Sequence, residues 1–131
     1  MNMIKKVSLW VLIIGYLAAG INHFRNLASY LNIIPAYIPY PAVANILSGV
    51  AEVLLALLLI LPKTRHYAAW GIILMLIAFL PVHIDMILKA PMQLGTVTVT
   101  PLLAWLRILF QPALILWAWW YTKPYPAQKN N

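Results

Sequence analysis

A chain of 131 residues has room for one domain, and 64% of it is hydrophobic while only 8% is charged. Soluble domains run at roughly 45–50% apolar and roughly 25% charged, so a soluble fold is excluded. Nine Lys and Arg stand against two acids, Glu52 and Asp85, giving a net charge of +7. Nine basic residues cannot coat a mostly apolar surface, so the excess reads as a membrane-orientation signal and not as a nucleic-acid footprint. Cysteine is absent, which excludes disulfides, thiolate metal sites, iron–sulfur clusters and a thiol nucleophile within this chain.

Four apolar blocks predict an all-α, integral membrane four-helix bundle. Helices are expected over about 4–24, 41–61, 67–88 and 102–121, within one domain spanning 1–131. Each block is near the ~20 residues that cross a ~30 Å hydrocarbon core, and helices satisfy their own backbone hydrogen bonds there. The first block also resembles a signal peptide, with Lys5-Lys6 before an apolar run and Ala18-Ala19-Gly20 after it. Asn22 and His23 just beyond make better sense if that helix stays in place.

The outer loop between the first two helices holds Pro35 and Pro39, and Pro41 suits the first turn of the second helix. This loop is expected to cap the outer mouth. The turn Pro62-Lys63-Thr64-Arg65-His66 is short, making the second and third helices antiparallel neighbours. Thr96 to Thr100 alternates as a short extended segment would. With both termini on one side, that side holds Lys5, Lys6, Lys63, Arg65, Lys123 and Lys129, against Arg25, Lys89 and Arg107 elsewhere. The bias places both termini in the cytoplasm. Aromatic belts are expected at Trp10, Tyr67, Trp70, Trp119, Trp120 and Tyr121 inside, and at Tyr30, Tyr37, Tyr40 and Trp105 outside.

Depth is the informative property of the polar residues. Asn22 and His23 lie near the outer end of the first helix, and Glu52 lies about 15 Å down the second at 1.5 Å per residue. His83 and Asp85 lie roughly 8 Å below the outer end of the third, with Arg107 at a similar depth in the fourth and Gln111 a turn deeper. All fall in the outer half or near the midplane, over an almost purely apolar inner half. Buried charges should face inward and pair. The expected pair is Arg107 with Glu52, with Asp85 as the competitor. Ser48 shares a helix face with Glu52, and Gln111 with Arg107. His83 and Asp85 are about 200° apart and cannot face one point. Gly15, Ala19 and Gly49 are expected to allow close helix approach.

Two readings of the cluster stay open. A Glu-Arg-His network can be structural glue that fixes helix register, or intramembrane ionisable groups can mark a ligand or proton-handling site. A permeation path is disfavoured because no polar residues continue it inward. His83, Met86 and Met92 admit copper, but methionine is more often a packing residue, and no metal site is assigned. No Ser-His-Asp arrangement, phosphate-binding glycine loop or HExxH motif is present.

These residues also carry a family resemblance. Gly20-Ile21-Asn22-His23-Phe24, Ile34-Pro35, Ile38-Pro39-Tyr40-Pro41 and Ser48-Gly49-Val50-Ala51-Glu52 resemble the DoxX-like family of small bacterial membrane proteins. Pro62-Lys63-Thr64-Arg65, Pro81-Val82-His83-Ile84-Asp85-Met86 and the stretch from Trp105 to Gln111 continue the resemblance in order over nearly the whole chain. It implies a four-helix protein of the bacterial inner membrane with polar positions at His23, Glu52, His83 and Arg107. Relatives of this kind include quinone-linked oxidoreductase subunits, members of redox-stress complexes and maturation factors. The expected function is therefore a small-molecule site, with a quinone as the candidate cofactor, in an oxidoreductase-associated subunit. The alternative is a non-enzymatic scaffold or assembly factor. Whether the chain is an enzyme is left open. Ligand or proton-handling candidates are His23, Glu52, His83, Asp85, Arg107, Gln111, Asn22 and Ser48. Expected partners are the lipid bilayer, a membrane or peripheral redox subunit, and a second copy of the chain, with no nucleic acid.

Overall fold

A computed structural model describes residues 1–94 and 96–124. Six helices and a two-stranded hairpin follow in the order α1 (Met3–Arg25), α2 (Leu27–Ile33), α3 (Pro41–Ile60), α4 (Arg65–Ala78), α5 (Leu80–Lys89), β1 (Met92–Leu94), β2 (Val97–Val99) and α6 (Pro101–Trp119). Four segments are long and apolar enough to cross a membrane: α1, α3, the α4–α5 unit and α6. Their large apolar side chains, among them Ile14, Leu47, Leu54, Leu74, Leu109 and Leu116, point outward and are exposed. Only a lipid environment makes such a surface favourable, so this is a multi-pass membrane protein.

The helix boundaries have local causes. Asn2 caps α1 by accepting from the Lys5 N–H at 2.8 Å. Thr100 caps α6 by accepting from the Leu103 N–H at 3.2 Å. Pro41 and Pro101 sit in first turns, where their missing N–H costs nothing. The last carbonyls of α3 have no intrahelical donors, and the next turn supplies them. Thr64 Oγ1 donates to Leu58 O at 2.7 Å, Arg65 Nε to Leu59 O at 2.9 Å, and Arg65 Nη2 to Ile60 O at 3.1 Å. Arg65 is thus a cap on the α3 terminus.

The third span is expected as one helix, and it is broken at Phe79. Pro81 in the first turn of α5 lacks an N–H and its ring crowds the preceding turn, so α4 stops at Ala78. The orphaned end of α4 is repaired from α6: Gln111 Nε2 donates to Leu76 O at 2.6 Å. Gln111 is 1% exposed, and this bond accounts for a fully buried amide.

Below the break lies a dry core. Leu9, Leu12 and Ile13 of α1 meet Leu59 of α3, Ala68, Ala69, Ile72, Ile73 and Leu76 of α4, and Ala118 of α6. Tyr121 joins this core instead of an interfacial belt, and its hydroxyl donates to Lys5 O at 2.9 Å. Trp117 Nε1 donates to Ser8 Oγ at 2.7 Å. These two bonds fasten the start of α1 to the end of α6. Above the break α5 packs against α6, and β1 pairs antiparallel with β2, Met92 opposite Val99. Met86, Val99 and Ala104 form a small apolar cluster under this hairpin. Met86 is therefore a packing residue.

Helices α1 and α3 cross closely at Gly20 and Gly49. A Cβ on Gly20 would lie 2.9 Å from Gly49 O, and one on Gly49 would lie 3.1 Å from Gly20 O. Gly15, expected at a helix contact, faces open space with nothing within 4 Å.

Candidate functional site

The half of the bundle that holds α2, α5 and the hairpin forms a partly open chamber of about 810 Å³. Its walls come from every span. Ala19, Asn22 and His23 face it from α1, and Ala44, Asn45, Ser48 and Glu52 from α3. Ala78, Phe79, Val82, His83 and Met86 close the side formed by the α4–α5 break, and Arg107 closes the α6 side. Tyr30, Ile33 and the following loop residues Ile34 and Ile38 line its open end. The break at Phe79 is what makes room: α4 packs in the core below, while α5 follows α6 above.

His23 is the best-fixed polar group in the chamber. Asn45, 2% exposed, donates from Nδ2 to the His23 carbonyl at 2.9 Å. That donation turns Asn45 Oδ1 toward His23 Nδ1, 2.7 Å away. His23 Nδ1 therefore carries a proton and donates it to Asn45. The other ring nitrogen, Nε2, faces Glu52 Oε2 at 3.3 Å. A bare Nε2 lone pair against a carboxylate is repulsive, so the two groups are complementary when one proton lies between them. Tyr30 stacks on the His23 ring with centroids 4.0 Å apart, and its hydroxyl accepts from Asn22 Nδ2 at 2.9 Å. Asn26 Nδ2 in turn donates to Asn22 Oδ1. Burial, then the nearby Glu52 charge, raises the Tyr30 phenol above its ordinary value of 10.0.

Four buried side-chain atoms lack a hydrogen bond among the described residues, His66 Nδ1 and Asp85 Oδ2 away from the chamber and Glu52 Oε2 and His83 Nδ1 on its walls. Glu52 is 5% exposed, and its Oε2 accepts no hydrogen bond of normal geometry from the described residues. His83 Nδ1 is likewise buried without a partner. Buried polar atoms are nearly always satisfied, and here both sit on chamber walls.

The structure redistributes the expected ion pairs. Arg107 is not paired with Glu52: its Nη1 donates to Gln111 Oε1 at 2.8 Å, four residues along the same helix. Gln111 bridges Arg107 to the end of α4, so the guanidinium is held on the α6 side while Glu52 stays with His23. Asp85 does not compete for either. It lies 2.8 Å from Lys89 Nζ, one turn along α5, and is absent from the chamber wall. The ~200° separation from His83 is the reason: His83 turns in, so Asp85 turns away. Ser48 lines the chamber, but its hydroxyl is spent on Ala44 O at 2.8 Å.

Residues 12–122 match a family model described as a domain of unknown function, DUF8561. The chain belongs to this family. No curated protein and no solved structure gives a significant match. The stretch matched to the DUF8561 family contains the Asn45–His23–Glu52 array, His83, Arg107 and the helix break. Of the eight candidates from the sequence, Asn22, His23, Ser48, Glu52, His83 and Arg107 line the chamber of this DUF8561 protein, and Asp85 and Gln111 do not. Asn45 and Tyr30 were not among those candidates. Asn45 was legible only as a polar interruption in an apolar run, and Tyr30 as one belt aromatic among several. Lys129, counted in the charge bias, lies outside the described residues.

Proposed function

We propose that the chamber binds a small amphipathic molecule with a flat, oxygen-bearing ring, a quinone or a relative of one. The observation that carries this reading is the coincidence of cavity and unfinished chemistry. An 810 Å³ space with apolar walls of Ile33, Ile34, Ile38, Phe79, Val82 and Met86 has the size and character of ligand pockets. It is lined by a carboxyl, two imidazoles and a guanidinium, of which Glu52 Oε2 and His83 Nδ1 make no hydrogen bond of normal geometry with the described residues. A ring of quinone size fits between such walls, and Arg107 is a hydrogen-bond donor suited to a ring carbonyl.

The resemblance to the DoxX-like family supports placing this site in an oxidoreductase-associated subunit of the bacterial inner membrane. The Lys5, Lys6, Lys63, Arg65 and Lys123 side would be cytoplasmic and the chamber would face outward. Electrons would come from the quinone and a redox partner subunit, since the chain's own residues supply proton handling and positioning.

A structural reading is favoured for part of the cluster. The Asn45–His23 hydrogen bonds are complete without a ligand and staple α1 to α3. Gln111 joins α6 to α4 in the same way. That reading does not account for Glu52, His83 and the open space between them. The test is thermal stabilisation of the purified protein by a panel of decyl-tailed quinones, against a decyl compound without ring oxygens. Ala44→Phe, which projects a ring into the chamber, serves as the blocked variant. Stabilisation of wild type alone, and only by the oxygen-bearing compounds, is expected. Equal behaviour of wild type and Ala44→Phe overturns the proposal.

A further inference from the structure

The chamber offers its ligand an unusual balance of hydrogen-bonding groups. Glu52 Oε2 accepts no hydrogen bond of normal geometry from the described residues, and the side chain is 7% exposed. His23 Nε2 faces it at 3.3 Å, a long ion pair that balances charge without a well-formed hydrogen bond. His23 cannot swing to improve the contact, because Asn45 holds Nδ1 at 2.7 Å and Tyr30 stacks on the ring face. Arg107 lies on another wall, tied at one nitrogen to Gln111 and otherwise a donor. A ligand that matches both walls must therefore donate at one point and accept at another.

An oxidised quinone has two carbonyl acceptors and no donor. It can take a hydrogen bond from Arg107, but it leaves Glu52 facing an oxygen, acceptor against acceptor. A hydroquinone has two hydroxyls, each able to donate and to accept. One hydroxyl satisfies Glu52 while the other accepts from Arg107 or meets His83 Nδ1, which is a donor or an acceptor according to its tautomer. We infer that the chamber selects a ring hydroxyl that donates to Glu52, and so binds the hydroquinone in preference to the quinone. This inference rests on the small-molecule reading above and adds the redox form and the residue that selects it. A phenol with one hydroxyl shares the same chemistry.

The experiment measures affinities of the full-length protein for four decyl-tailed probes under anaerobic, reducing or non-reducing conditions as each requires. The probes are a benzoquinone, its hydroquinone, the dimethyl ether of that hydroquinone, and the matching monophenol. A hydrogen bond to a charged acceptor is worth about tenfold or more in affinity. The hydroquinone is expected to bind about tenfold or more tighter than both the quinone and the dimethyl ether. The ether keeps shape and acceptors but has no donor. Tight binding of the monophenol assigns one hydroxyl, the one on Glu52, as sufficient, and weak binding assigns both. In Glu52→Gln the amide can donate to a carbonyl, and the preference for hydroquinone over quinone is expected to collapse. The wild-type series stands alone if that variant fails to fold. Equal affinity for quinone, hydroquinone and ether overturns the selection and leaves a small-molecule site in place. Binding of none of the four overturns both.

Discussion

The α1–α3 crossing gives a graded test of the fold, because Gly15, Gly20, Gly49 and Gly71 differ in what an added methyl would strike. At Gly20 the new Cβ would lie 2.7 Å from Val53 Cγ2, 2.9 Å from Gly49 O and 3.0 Å from Val53 N. At Gly49 it would lie 2.8 Å from His23 Cβ, 3.0 Å from Phe24 Cε2 and 3.1 Å from Gly20 O. Helix backbone atoms yield only if the whole helix moves. At Gly71 the nearest atom is the end of a flexible side chain, Leu55 Cδ2 at 2.6 Å, and at Gly15 there is nothing within 4 Å. Replacing glycine by alanine in a helix gains up to about 1 kcal/mol of propensity, while overpacking costs about 1–3 kcal/mol. The expected net order is Gly15→Ala stabilising, Gly71→Ala near neutral, and Gly20→Ala and Gly49→Ala destabilising by about 1–2 kcal/mol. Unfolding in a dodecyl maltoside and SDS titration, followed by tryptophan fluorescence, reads the order directly. Gly49→Ala pushes on His23 as well, so it should also weaken ligand stabilisation, whereas Gly15→Ala should not. Equal stability of Gly20→Ala and Gly15→Ala would refute the crossing.

Asn45→Ala removes two hydrogen bonds and leaves the buried His23 Nδ1 unpaired, a loss of about 2–3 kcal/mol, while Ser48→Ala three residues on is expected within about 0.5 kcal/mol of wild type. The same unfolding titration separates them, and equal losses would count against the Asn45–His23 staple. Arg65→Ala orphans the Leu59 and Ile60 carbonyls at the end of α3 and is expected to cost about 1–2 kcal/mol, with Arg65→Lys recovering only part. Full recovery by lysine would make the charge, not the two-point cap, the operative property. Tyr30 holds its proton more tightly when folded, so its contribution is complete below pH 10.0 and is lost as pH rises above it. Wild type should therefore lose stability more steeply than Tyr30→Phe between about pH 9 and about pH 11; parallel curves would show that the phenol is not buried against Glu52.

The spans were legible because hydrophobic length is a property of sequence alone. So was the layer of the polar residues, since 1.5 Å per residue converts position into depth. Which polar residue meets which was not legible. Arg107 and Glu52 lie in the same half of their helices and carry opposite charge, yet the pairing is decided by helix rotation and by a backbone defect elsewhere. Pro81 ends α4 at Ala78, the freed Leu76 carbonyl takes Gln111, and Gln111 then holds Arg107. Nothing in the spacing of charges encodes that chain of consequences, although Pro81 itself stood in view. Asn45 was hidden for a similar reason. A single asparagine in an apolar helix is informative only once the partner helix places a histidine opposite it.

The two halves of the bundle answer to different demands. Below Phe79 the helices are joined by apolar packing and by bonds that close on themselves, such as Trp117 to Ser8 and Tyr121 to Lys5. Above it the same spans diverge around a chamber where Glu52 meets His23 only in a long ion pair and His83 Nδ1 has no hydrogen-bond partner among the described residues. Leaving a buried acceptor unsatisfied costs about 1–3 kcal/mol, and a structural staple would be cheaper without it. Glu52 replaced by an apolar residue would remove that cost while leaving Asn45 and His23 bonded. On the small-molecule reading proposed above, a ligand hydroxyl completes that carboxyl from within the chamber.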